Sequence, residues 1–273
     1  MYTWIYENPV LAALLGTLFT YAVTALGAAL VFPFKNVPKK VFNGMLGFSA
    51  GVMIYVSMIE IFPKARASLE SYYGSASTGY LITTLSFFGG VALIALIDKF
   101  VPAEENPHEI RDIEDIDSEE AKRKSLLRMG MFSALAIAIH NFPEGLATFM
   151  AAIQDPTLGI AIAVAIAIHN IPEGIAVSVP IYYSTGSKKK AFLFSFLSGL
   201  SEPVGALIGY FLLRNFLSDA LFGIIFAGVA GIMVYISLDE LLPTAEKYGK
   251  HHVAIGGLIA GMAIMAISLV LFV

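Results

Sequence analysis

The chain contains no cysteine, and that absence removes two kinds of chemistry at once. No disulfide can staple it, so its redox compartment is unreadable, and no thiolate can hold a metal. Charge is scarce as well. Asp, Glu, Lys and Arg make up 14% of the 273 residues against 57% hydrophobic, and the mean hydropathy of +0.76 lies outside the range of a soluble globular domain. No Lys or Arg precedes Lys35, and Glu7 stands just before the first apolar run. The basic leader of a cleavable signal peptide is therefore missing, and that run reads as a retained span. No Gly-rich Lys-Ser/Thr loop occurs, which argues against ATP use by this polypeptide, and no basic patch suggests nucleic acid.

What is present is a series of apolar runs, each near the ~20 residues that cross a bilayer. They fall at about 9–32, 41–62, 79–98, 126–152, 158–183, 190–213, 217–242 and 253–273, which predicts an all-α polytopic membrane protein of eight transmembrane helices in one domain, 1–273. Cytoplasmic loops carry the Lys and Arg excess. With both termini outside, 14 of the 17 basic residues fall on the inner side and only Lys64, Arg66 and Arg214 on the outer. An odd number of spans would scramble that split. The one long loop, 99–125, joins the third and fourth helices, is acidic from Glu104 to Glu120, and reads as a flexible, solvated cytoplasmic linker.

Two apolar helices carry the same word: His140-Asn141-Phe142-Pro143-Glu144-Gly145 and His169-Asn170-Ile171-Pro172-Glu173-Gly174. Residues four apart stack on one helix face, so each His projects with its Glu, and each Asn leans to the same side. At ~1.5 Å per residue, both words lie about 17 Å from the outer surface, near the bilayer midplane. Each proline deletes a backbone hydrogen bond, and each glycine lets a second backbone come close. Glu202, beside Pro203 in the sixth span, adds a third carboxylate at this depth.

No Lys or Arg lies in a span core to pair with Glu144, Glu173 or Glu202. Carboxylates at membrane depth need protons or a cation, and with imidazoles beside them a divalent transition metal fits better. A lone His in an apolar helix is more often hydrogen-bonded glue than a ligand. Two full words at one depth are harder to explain that way, and they leave room for two adjacent metal positions. Without thiolates, the donors suit Zn2+, Fe2+, Mn2+, Co2+ or Cd2+. A different class of reading is a zinc-dependent intramembrane hydrolase, in which such ligands activate water. No His-Glu-x-x-His occurs, and carboxylates at several depths suit a path better than a pocket.

A second repeat pairs residues 51–63 with 231–243: Gly, Met, Tyr, Ser, Glu and Pro recur in register. The two copies run in opposite directions, which predicts a 3+2+3 arrangement with helices 1–3 and 6–8 as an inverted repeat. Glu60 then sits toward the outer mouth, and Asp239 with Glu240 toward the inner one.

These words resemble the ZIP (Zrt/Irt-like protein) family of divalent metal transporters, most of all its bacterial ZupT-type branch, and the likeness covers all eight spans. The resemblance implies metal ligands at His140, Asn141, Glu144, His169, Asn170, Glu173 and Glu202, with Met53 from the second helix. It implies pathway roles for Glu60, Asp239 and Glu240, a homodimer, and import of Zn2+ and related metals across the bacterial inner membrane by alternating access. The second word reads His169-Asn170 where other members carry Gln-Asp, which lowers the charge at a second metal position. The inner loop has only His108 where many members have a histidine cluster.

Overall fold

The structure is a computed structural model describing residues 7–30, 32, 38–100, 119–154, 156–213, 218–247 and 250–271. Every element among the described residues is helical. The helices are α1 (Pro9–Leu30), α2 (Lys39–Val56), α3 (Phe62–Tyr73), α4 (Ala76–Phe100), α5 (Glu119–Gln154), α6 (Pro156–Thr185), α7 (Lys188–Gly199), α8 (Ser201–Leu213), α9 (Asp219–Ile236), α10 (Leu242–Lys247) and α11 (His251–Leu271). Seven helical runs are long and apolar enough to cross a membrane, and α5 is the long helix outside that set. Its charged start and its His-Asn-Phe-Pro-Glu word dilute an otherwise apolar run. The chain is a multi-pass helical membrane protein.

Several boundaries move from their expected places. The second and seventh spans were expected to stop before Pro63 and Pro243, yet both continue. Between α2 and α3 lies a five-residue π turn, Ser57–Ile61, and between α9 and α10 lies another, Ser237–Leu241. The Phe62 N–H reaches the Ser57 carbonyl and the Leu242 N–H reaches that of Ser237, each five residues back. A proline ring clashes with the carbonyl four residues earlier and brings no N–H of its own. Widening the helix by one residue just before the proline accommodates it without ending the rod.

The sixth span departs from a regular helix as well. Its ladder slips at Leu200, between α7 and α8, where the backbone itself stays helical. Pro203 supplies no N–H to the Gly199 carbonyl, so the ladder lapses there, and beside it Ser201 Oγ donates to the Ser198 carbonyl at 2.7 Å. Glu202 thereby lands in the first turn of α8, where the helix dipole favours a carboxylate. Pro143 and Pro172, by contrast, lie inside unbroken helices. The acidic loop expected at 99–125 is shorter than drawn, because α5 starts at Glu119; 101–118 lie outside the described residues.

Packing sorts the helices into two groups. In one, α6 packs on α1 and α5, and α5 packs on α8; in the other, α2 packs on α11 and α9 packs on α3 and α4. The groups meet where α2 lies on α6 and where α9 lies on α5. Burial identifies the centre: 82% of the α6 span is buried, against 17% of α4 and 22% of α11, whose outer residues are large and apolar as a lipid-facing surface requires. Small residues allow the close crossings. A Cβ on Gly51 would overlap the Leu258 carbonyl of α11, and one on Gly231, the matching position of the second repeat, would overlap the Phe87 carbonyl of α4.

Candidate metal centre

Both words lie where their helices cross. Asn141, Glu144, His169, Asn170, Glu173 and Glu202 are all buried, none more than 2% exposed. Gly145 sits against the Glu202 carbonyl of α8, and Gly174 against the Thr24 carbonyl of α1, so tightly that a Cβ on either would overlap main chain. The glycine of each word therefore sets the depth at which its own carboxylate meets the neighbouring helix. His140 belongs to α5 at this level, and its side chain lies outside the described residues.

The polar side chains form two groups. In the first, His169 Nε2 lies 2.9 Å from Glu144 Oε1 and 3.9 Å from Glu173 Oε1. One imidazole edge thus faces a carboxylate from each word. In the second, Glu202 is held at both oxygens: Thr20 Oγ1 donates to Oε2 at 2.6 Å, and Asn170 Nδ2 donates to Oε1 at 2.8 Å. The same amide also lies 3.1 Å from the Thr20 carbonyl. His169 and Asn170 are consecutive, so α6 joins the two groups.

Some polar atoms are left over. The Asn141 amide has no hydrogen-bond partner among the described residues on either its oxygen or its nitrogen, and neither has Asn170 Oδ1. Buried amide oxygens are normally satisfied, so exceptions call for an explanation. Oxygen donors waiting for a cation are one. As the side chains stand, no group of three His, Asp or Glu among the described residues is arranged to hold a metal ion.

Met53 is fully buried on α2, the helix that lies on α6, and accepts a long contact from Ser49 Oγ at 4.0 Å. Glu60, Asp239 and Glu240 all fall within the two π turns and are half-buried, with Glu60 paired to Lys64 at 3.0 Å. The two turns pack on α2, α3, α9 and α10, whereas the words belong to α5 and α6. Thr20 was missed by sequence reasoning. Its signal was the threonine stripe at 17, 20 and 24, three hydroxyls on one face of an apolar helix, all buried.

A family profile described as ZIP Zinc transporter matches residues 102–269. The chain belongs to the ZIP zinc transporter family. Among its relatives, the zinc transporter ZupT of Chlorobium chlorochromatii (strain CaD3) is 63% identical over 257 residues, 94% of this chain and 96% of that protein. Zinc transporter ZupT of Clostridium perfringens (strain 13 / Type A) is 59% identical over 279 residues, covering 97% and 98% of the two chains. That of Chlorobaculum parvum (strain DSM 263 / NCIMB 8327) is 61% identical, covering 97% and 99%. Both words lie inside the ZIP-matched segment, as does Glu202, whereas Thr20, Met53 and Glu60 lie before it.

Proposed function

We propose that this protein imports Zn2+ and related divalent metals, Fe2+, Mn2+, Co2+ and Cd2+, through a midplane site shared by the two words. The observation that carries this is His169 Nε2 standing 2.9 Å from Glu144 and 3.9 Å from Glu173 in a fully buried place. Two ligand atoms of one tetrahedral zinc, each ~2.05 Å from it, are about 3.3 Å apart. The two separations bracket that value, so a small adjustment lets all three side chains face one ion. His140, Asn141 and Met53 complete this position; Asn170 and Glu202 form a second beside it, with Glu144 or Glu173 bridging.

The route is read from the π turns. Glu60 collects metal at the outer mouth, and Asp239 with Glu240 releases it at the inner one. The inverted repeat is supported by the packing, in which exchanging the two halves turns α2 on α11 into α9 on α4, and α1 on α6 into α8 on α5. Each π turn also packs on the other half: Ser57–Ile61 on α9, and Ser237–Leu241 on α2. With eight spans, both termini lie outside the inner membrane and the acidic loop lies in the cytoplasm. Rocking of the α1, α5, α6 and α8 group against the other gives alternating access, and the second group holds a homodimer together.

Import of a doubly charged ion down a 100 mV inside-negative potential is favourable by about 4.6 kcal/mol, twice the single-charge value. No nucleotide is needed. The test is zinc-dependent uptake into proteoliposomes carrying the purified protein, run beside a protease and lipase screen. Uptake lost in Glu144→Ala and Glu173→Ala supports the reading; hydrolysis without uptake overturns it in favour of the hydrolase.

A further inference from the structure

Of the three buried threonines on α1, two make only local bonds among the described residues. Thr17 Oγ1 donates to the Leu14 carbonyl at 2.9 Å, and Thr24 Oγ1 to that of Thr20 at 3.4 Å. Such back-bonds are an ordinary way for a hydroxyl to live inside an apolar helix. Thr20 is different because its Oγ1 has two acceptors in reach, Glu202 Oε2 at 2.6 Å and the Thr17 carbonyl at 2.9 Å. A hydroxyl has one proton and can donate to only one of them at a time. The shorter contact, to a carboxylate, is the stronger of the two.

We propose that Thr20 is a positioning residue for Glu202, a catch that holds the carboxylate on α1 and releases it to a divalent cation by turning to the Thr17 carbonyl. The proposal rests on the reading of Glu202 as a ligand of the second metal position. Release strands no donor, since the alternative acceptor is already within hydrogen-bond distance. Recapture needs only a rotation about one bond. The catch holds the carboxylate on α1 and draws on the charge that a metal would use, so the hydroxyl weakens binding at the second position and speeds departure from it. Asn170 Nδ2, shared between Glu202 Oε1 and the Thr20 carbonyl, keeps the carboxylate beside the catch from the α6 side.

The experiment measures equilibrium Zn2+ binding to the full chain in lipid nanodiscs, with uptake into proteoliposomes in parallel. Thr20→Val removes the hydroxyl at nearly constant volume. It is expected to tighten the Zn2+ equivalent that Glu202→Gln abolishes by about ten- to a hundredfold, the factor for removing a competing hydrogen bond to a charged group, while lowering the maximal uptake rate. Thr20→Ser, which keeps the hydroxyl, restores the parent's affinity. Thr20→Ala serves if the valine variant does not fold.

Unchanged or weakened Zn2+ binding in folded Thr20→Val and Thr20→Ala overturns the catch, as does a serine variant that behaves like valine. Glu202→Gln separates the two levels. If it lowers Zn2+ binding while the threonine variants do nothing, only the catch is lost; if it leaves binding unchanged, the ligand role of Glu202 fails and the catch falls with it.

Discussion

His169 Nε2 stands 2.9 Å from Glu144 Oε1, so the imidazole of the second word meets the carboxylate of the first across the crossing of α5 and α6. Each word supplies what the other lacks at that point. Within the second word alone, His169 and Glu173 are further apart, at 3.9 Å.

Glu173 and Glu144 are expected to be the least replaceable side chains. Alanine at either should lower zinc uptake by at least about tenfold, since it removes a charged ligand outright and a factor of ten is only ~1.4 kcal/mol. Radiozinc uptake and bound zinc, measured on variants shown to be folded, check this. A Glu173→Ala protein that binds and carries zinc like the parent removes the site from this place.

Asn170→Asp should raise metal affinity at the second position and change the order of preference among Zn2+, Fe2+, Mn2+ and Cd2+. It replaces the amide that donates to Glu202 at 2.8 Å with a second carboxylate, and two facing carboxylates favour a cation between them. Competition uptake among the four metals reads the result; an unaltered order argues against a second position.

Gly145→Ala and Gly174→Ala should each destabilise the protein by about 1–3 kcal/mol, the usual range for forcing a methyl into a packed core. The new Cβ would overlap the Glu202 carbonyl in one case and the Thr24 carbonyl in the other. A melting curve in detergent, compared with Gly256→Ala, where a Cβ meets nothing within 4 Å, separates this from a general loss of glycine flexibility.

Glu60→Cys and Glu240→Cys exploit the cysteine-free background. A membrane-impermeant maleimide is expected to label the first from outside and the second only from inside. Labelling of both from one side ends the inverted-repeat topology and the pathway built on it.

Much of this was legible in the primary sequence because the deciding signals are local. Hydropathy marks a span wherever ~20 apolar residues follow one another, and the two words state their residue types outright. What stayed hidden depends on how helices cross. The π turns were missed because hydropathy marks where a span runs and not whether its helix widens by one residue before a proline and continues. The slip at Leu200 was missed because an apolar run has the same hydropathy whether or not its ladder is complete. Thr20 and Glu202 are 182 positions apart, and nothing in either neighbourhood names the other. The sequence by itself determined the medium, the helices and the chemical types at the midplane, since burial in lipid permits so few alternatives for backbone and charge. Only the tertiary structure decided that His169 faces Glu144 and that Glu202 is held by Thr20, because a side chain's partners follow from helix depth and crossing, which glycine contacts between distant segments set.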